Sequence, residues 1–173
     1  QKRVGKLLDL GCGSGSYTAA ILKEDKTATA TLMDRAAAIK VARKLCKTQS
    51  VYNRLHFVSG DFFDDELGEG YDTVLMSNII HIYNATENKT IFEKINKALK
   101  KGGRFILYDL FLNNSKTGPY DAALFAITML LYTKTGKSYA FGEVESLLRN
   151  AGFARIKKTK IGDGSSIVEA IKI

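Results

Sequence analysis

The sequence predicts an α/β domain in which a mostly parallel sheet is covered by helices on both faces and closes on an antiparallel strand. Three observations carry this. Apolar runs of strand length alternate with segments of helical period, a glycine-rich loop follows the first run, and the chain ends in two β-rich runs separated by Gly162-Asp163-Gly164. The alternation calls for parallel pairing, because a parallel neighbour is reached only through a crossover and the crossover helices then cover the sheet. The short Gly/Asp connection reads as a hairpin, which places one reversed strand in that sheet.

Val4 to Leu10 (VGKLLDL) is an apolar run ending at glycines, the first strand. A helix spans Ser16 to Lys23. Ala28 to Met33 is the second strand and Ala36 to Lys47 the second helix, with Ile39, Ala42, Arg43 and Cys46 spaced along it. Leu55 to Ser59 and Asp72 to Ser77 are the third and fourth strands. In the next helix, Asn84 and Glu87 form an N-cap pair, Ile91, Phe92, Ile95, Ala98 and Leu99 make one apolar stripe, and Gly102-Gly103 reads as the end. Arg104 to Asp109 is the fifth strand. A polar loop from Asn113 to Gly118 leads to a strongly apolar helix, Asp121 to Thr133, read as buried. A shorter helix, Phe141 to Asn150, turns Val144, Leu147 and Leu148 inward, and the closing runs are Phe153 to Ile161 and Ser165 to Ile173.

Composition narrows the function classes. The 173 residues are 45% apolar and suit one domain. That content excludes a disordered chain, and the single proline, Pro119, excludes a collagen-like one. Cys12 and Cys46 are the only cysteines and neither belongs to a Cys/His array, so the sequence shows no metal site and no disulfide scaffold. Two free thiols suit a reducing, cytoplasmic setting. No run reaches the roughly 18 to 20 apolar residues that span a bilayer, so no membrane partner is expected. The start, Gln1-Lys2-Arg3-Val4, runs straight into a core strand and is no signal peptide; it also lacks methionine, so further chain is expected upstream.

The excess of 26 Lys+Arg over 18 Asp+Glu, a net charge of +8, raises nucleic acid as a partner. The cations fall into separate groups (Lys97, Lys100, Lys101 and Arg104; Arg155, Lys157, Lys158 and Lys160) without interleaved aromatics. Solvated faces are the favoured reading of them, with a nucleic-acid surface not excluded.

The loop Leu7-Leu8-Asp9-Leu10-Gly11-Cys12-Gly13-Ser14-Gly15 carries the strongest local signal. Glycine at alternate positions lets the backbone turn sharply after a strand and come close to a ligand. The helix behind it points free amides and the positive end of its dipole at the same place. The spacing is G-x-G-x-G, whereas the dinucleotide fingerprint is G-x-G-x-x-G and would need glycine at Ser16. Asp9, two positions before the first glycine, would disfavour a pyrophosphate; it can accept from a loop amide or lie near a cationic ligand. Asp34, at the end of the second strand, can accept both hydroxyls of a ribose. In Gly60-Asp61-Phe62 a carboxylate could bond an adenine amino group while the ring lies against the base. Three acids thus end three successive strands. Turn-building alone is the alternative for each of them.

This combination resembles the class I S-adenosylmethionine-dependent methyltransferases over nearly the whole chain. The resemblance implies a Rossmann-like three-layer sandwich over residues 1–173, with a seven-stranded, mostly parallel sheet and an antiparallel C-terminal strand. It also implies S-adenosyl-L-methionine as cofactor and S-adenosyl-L-homocysteine as product. The implied cofactor contacts are Asp9, Gly11, Gly13, Asp34, Asp61, Phe62 and Ser77.

The segment Ser77-Asn78-Ile79-Ile80-His81-Ile82-Tyr83-Asn84 lacks the Asn/Asp-Pro-Pro-aromatic run of enzymes that methylate base amines. His81, Tyr83 and Glu87 instead resemble the small-molecule O-methyltransferases of the caffeate and hydroxyindole type, with tyrosine where tryptophan is commoner. Gly102-Gly103-Arg104-Phe105-Ile106-Leu107-Tyr108-Asp109 and Ser146-Leu147-Leu148-Arg149-Asn150-Ala151-Gly152-Phe153 are similar to the same family. That resemblance implies His81 as general base, Asp109 as the acid that orients it, and a small aromatic alcohol as substrate. A phenol, with a pKa near 10, is mostly neutral at pH 7, and a neutral imidazole can take its proton as the methyl arrives.

A buried, satisfied loop histidine is the alternative for His81, and a turn cap for Asp109; His56 is read as structural. Ser138 stands where the family carries a second acid, and Ser77 where plant members carry lysine. Phe125, Met129 and Tyr132 either line the substrate side or pack in the core. The family's N-terminal helical domain, which makes a homodimer and closes the pocket, has no counterpart here. Three rival functions remain: RNA or protein methylation, an NAD-binding dehydrogenase, and a non-catalytic cofactor-binding module.

Overall fold

A computed structural model describes residues 3–162 and 164–173; Gln1, Lys2 and Asp163 lie outside the described residues. The elements run β1 (Lys6–Leu10), α1 (Ser16–Glu24), β2 (Thr29–Asp34), α2 (Ala36–Cys46), β3 (Leu55–Ser59), β4 (Tyr71–Ser77), α3 (Ala85–Ala98), β5 (Leu99–Leu112), α4 (Tyr120–Tyr132), β6 (Tyr139–Ala140), α5 (Phe141–Asn150), β7 (Phe153–Lys160) and β8 (Ser165–Lys172). The sheet has the order β3-β2-β1-β4-β5-β8-β7, with β6 paired to β5 as an eighth strand. β1 to β5 pair in parallel, and β8 lies antiparallel between β5 and β7. The predicted α/β sandwich with a reversed last strand is what the chain forms.

Alternation along the central strands builds two cores. Leu7, Leu32 and Leu75 pack with Ala19 and Leu22 of α1 and Ile39 and Ala42 of α2, while Leu8, Met33, Val74 and Met76 pack on the other face with Ile91, Phe92 and Ile95 of α3 and Val144 and Leu148 of α5. Phe92 and Phe153 flank Phe105 on that second face, with ring centroids 5.3 and 5.7 Å away. The capping box at the start of α3 forms as read: Glu87 N–H donates to Asn84 Oδ1 at 3.0 Å, and Asn84 N–H to Glu87 Oε2 at 2.7 Å.

Two expectations fail. Gly102-Gly103 does not end α3, which stops at Ala98 as Leu99 turns extended. Residues 100–103 instead form an irregularity inside β5, because Leu99 pairs with Tyr71 and Arg104 with Thr73. Glycine is required there: Gly102 has φ +76°, and a Cβ on Gly103 would meet the Lys100 carbonyl at 2.8 Å. The second failure is α4, which is not buried. Only Ala122 and Met129 are buried along it, and Leu124, Ile127, Leu130, Leu131 and Tyr132 are exposed. An all-apolar helix reads as core, but α4 rests on β5 and its outer face is left exposed among the described residues.

Candidate active site

The carboxyl ends of β1 to β5 open on one edge of the sheet, where α/β folds place their ligands. After β1 the chain turns through Gly11, Gly13 and Gly15, all at positive φ. A Cβ on Gly11 would clash with Ile79, and one on Gly15 would meet Leu32 and Cys46, whereas one on Gly13 would project into open space. Gly11 and Gly15 are therefore held to glycine by packing, and Gly13 by backbone conformation alone. Gly11 N–H donates to the Met33 carbonyl at 2.9 Å and Gly13 N–H to Asp34 Oδ2 at 2.8 Å, so β2 shapes the loop. Asp34 Oδ1 accepts from Arg35 N–H at 2.7 Å.

A pocket of about 220 Å³ lies beside this loop, lined by Asp34, Arg35, Gly60, Asp61, Phe62, Ile79, Ile82 and Tyr83. It brings together three of the seven expected cofactor contacts, Asp34, Asp61 and Phe62, with Tyr83 beside them. Asp61 is steadied by Phe63 N–H, which donates to its Oδ1 at 2.9 Å, and Phe63 stands edge-on to Tyr83 with centroids 5.2 Å apart. A larger hollow of about 680 Å³ is lined by Lys6, Thr29, His56 and Tyr71 toward the amino ends of the strands, and by Val58 and by Met33, which lies beside Gly60. Ser77 ends β4 and is 9% exposed, accepting from Asn78 Nδ2 at 3.3 Å, but it is not part of the pocket wall.

Asp9 does not take a loop amide. It is opposite Leu32 in the β1/β2 register, two residues short of the level of Asp34, or roughly 7 Å deeper. Like Leu7 it faces the α1 side, where the Thr18 hydroxyl donates to its Oδ2 at 2.5 Å. Burial, against the lowering effect of that hydrogen bond, pushes its carboxyl up to about 7, with the charge of Asp34 adding to the rise. Burial also holds the Cys12 thiol well above the ordinary range, as it raises Cys46, so neither is a ready nucleophile.

His81 sits in a single 3₁₀ turn, Ile80–Ile82, between β4 and α3. Its Nδ1 lies 2.8 and 3.1 Å from the two oxygens of Asp109, which is fully buried near the end of β5 and also accepts from Leu110 N–H at 2.8 Å. A carboxylate accepting at Nδ1 fixes the proton there and leaves Nε2 as the acceptor nitrogen. Nε2 has no protein partner among the described residues. The Phe125 ring of α4 stands perpendicular to the imidazole, centroids 4.7 Å apart. Of the other α4 candidates, Met129 is buried and Tyr132 is 82% exposed, facing away. Ser138 is buried with its hydroxyl unpartnered among the described residues, and His56 is exposed on β3. The sequence reading missed the pocket residues Arg35 and Ile79; the Cβ clash of Ile79 with Gly11 has no local sequence signal.

A family model for the O-methyltransferase domain matches residues 1–154. The chain belongs to this family. The 3-hydroxy-5-methyl-1-naphthoate 3-O-methyltransferase of Streptomyces sahachiroi is 28% identical to this O-methyltransferase domain over 171 residues, 98% of the chain and 49% of that protein. Among solved structures, an O-methyltransferase family 2 protein from Planctomyces limnophilus in complex with apigenin superposes with a TM-score of 0.91 at 27% identity, covering 97% of this chain and 51% of that one. PigF with S-adenosylhomocysteine bound superposes with a TM-score of 0.88 at 29% identity, covering 96% and 50%. The chain therefore spans about half the length of the relatives it matches.

S-adenosylmethionine is the cofactor of this family. The residues present fit its nucleoside half, for the pocket joins carboxylates from two neighbouring strands to apolar and aromatic walls. Among the described residues no group of His, Cys, Asp or Glu could hold a metal ion, and no helix is long and apolar enough to cross a membrane.

Proposed function

We propose that this O-methyltransferase domain is the catalytic part of an enzyme that methylates a hydroxyl of a small aromatic molecule, with His81 as general base and Asp109 as the group that orients it. The observation that carries the reading is the buried His81–Asp109 pair, its Nε2 without a partner among the described residues, on the same sheet edge as the nucleoside-sized pocket. The relatives whose printed names specify naphthoate and acetylserotonin substrates support an aromatic acceptor.

When bound, S-adenosylmethionine supplies an electrophilic methyl. This chain's residues do the rest. Asp34 and Asp61 are the partners we assign to the ribose and the adenine, with Phe62 and Tyr83 to hold the base; Gly11, Gly13 and Ser77 would hold the remainder of the cofactor. Asp9 acts from beneath, holding α1 to the loop through Thr18. His81 Nε2 would take the proton of the acceptor hydroxyl, whose oxygen would receive the methyl while the sulfur–methyl bond breaks and S-adenosylhomocysteine leaves, and Asp109 would stabilise the imidazolium that results. Phe125 bounds the acceptor on the side of α4. The apolar outer face of α4 is the surface we assign to a segment that closes the pocket and to a homodimer partner.

The test is methyl transfer to a panel of phenols by the wild type and by His81→Ala, alongside thermal stabilisation by S-adenosylhomocysteine and by NAD. The reading expects stabilisation by the first ligand alone and turnover that collapses in the variant. Equal turnover in both proteins removes His81 from the mechanism, and stabilisation by NAD removes the cofactor assignment.

A further inference from the structure

Two buried side chains that no step of this reaction uses grip the turn carrying His81. Asn88, on the inner face of α3 and 0% exposed, donates from Nδ2 to the carbonyls of Ile80 at 2.8 Å and Tyr83 at 3.1 Å, which bracket His81. The hydroxyl of Tyr139, on β6, donates to the same Tyr83 carbonyl at 2.7 Å and lies 3.1 Å from Asn88 Nδ2. Burial pushes that phenol up to about 12, so it remains a donor throughout the neutral range.

A single 3₁₀ turn is weakly self-supporting. Here Asn78, just before it, is also held at φ +56°, and the turn's placement falls to whatever binds its carbonyls. β5 serves both ends of the arrangement. It supplies Asp109 to the imidazole directly, and two residues later, at Phe111, it pairs with Tyr139. Thr135 completes the tie by donating to Glu87 Oε2 at 2.7 Å, joining the approach to β6 to the cap of α3. The amide oxygen of Asn88 is buried without a partner among the described residues. An apolar residue of that shape would avoid this cost, so the two N–H groups are what the amide contributes.

We propose that Asn88 and Tyr139 are positioning residues that fix the backbone of the His81 turn, so that the imidazole meets Asp109 while Tyr83 closes the nucleoside pocket. The catalytic half of this inference rests on His81 being the base; the geometric half does not. With only two histidines in the chain, ¹⁵N-imidazole NMR resolves His81 against the exposed His56 as an internal reference. In Tyr139→Phe and Asn88→Ala the Nδ1–H proton of His81 moves upfield and exchanges about tenfold faster, His56 is unchanged, and kcat falls about tenfold with little change in the acceptor KM. Thr90→Ala, on the exposed outer side of α3, sets the baseline. Tyr139→Phe keeps the ring and decides the matter if Asn88→Ala does not fold. A folded Tyr139→Phe protein with the wild-type Nδ1–H signal and exchange rate overturns the proposal. A parent protein without methyl transfer overturns the reaction instead, and the NMR comparison still judges the grip.

Discussion

The nucleoside side and the acceptor side of the cleft are built on different terms. On the first, each acid is already tied to the backbone around it: Asp34 to the amides of Gly13 and Arg35, Asp61 to that of Phe63. On the second, His81 has one nitrogen engaged and the other without a partner among the described residues, and the helix beside it turns Leu130, Leu131 and Tyr132 to solvent. Where the ligand's shape is fixed, backbone amides hold each acid, in a wall assembled from the segments that follow β2, β3 and β4. The acceptor wall is instead made by side chains from distant elements, and this chain leaves part of it uncovered. Substitutions on the two sides therefore ought to separate affinity for the cofactor from turnover.

The largest separation comes from His81→Ala, which lowers turnover by about 10²- to 10⁴-fold while leaving the affinity for S-adenosylhomocysteine, measured by calorimetry, within about twofold. A parallel loss of affinity would mean that the two sides are one cooperative unit.

Asp9 gives the next effect, on stability. Its folded carboxyl titrates at about 7 against 3.8 for the unfolded group, so between those values the folded state holds the extra proton. The sign follows from linkage: this contribution is full below about pH 4, is lost as pH rises to 7, and stays lost above it. The shift corresponds to roughly 4 kcal/mol. Asp9→Asn keeps an acceptor for Thr18 and removes the titration, so urea midpoints at pH 8 exceed those of the wild type and the difference closes toward pH 4. A variant less stable than the wild type at pH 8 would show that the ionised carboxylate is what the fold needs.

Asp34→Ala is smaller and falls on the nucleoside side. It removes the acceptor that shapes the glycine loop through Gly13 and, in the proposed reading, the ribose partner. Loss of one charged hydrogen-bonding group is worth about 1.5 to 3 kcal/mol, roughly 10- to 100-fold in cofactor affinity. With saturating cofactor, turnover should recover to near the wild-type value.

Legibility in the sequence followed the range of the interactions. The capping box of Asn84 and Glu87, the glycine loop and the acid closing β2 are set within a few residues, and each could be read. The reversed β8 was legible because a short turn permits little else. The orientation of Asp9 was partly readable, since it shares a strand face with Leu7, but its partner Thr18 is chosen by how α1 lies on the sheet. Gly102 and Gly103 carried the right residue types for a helix end and were used for an irregularity in β5, a choice set by pairing with β4. Asn88 and Tyr139 gave no signal, because their contact spans 51 positions and uses groups that turn up in any core.

The exposed helix allows the smallest and most direct test of the comparison. Leu131 is 72% exposed, so Leu131→Lys replaces a side chain that already meets water. If α4 is open as described, the change alters folding stability by no more than about 0.5 kcal/mol, and light scattering shows less self-association. A core position would instead cost about 2 to 5 kcal/mol. A penalty of that size at a dilution where the domain is monomeric would show that the chain itself covers α4, and the contrast between the two halves of the cleft would then vanish.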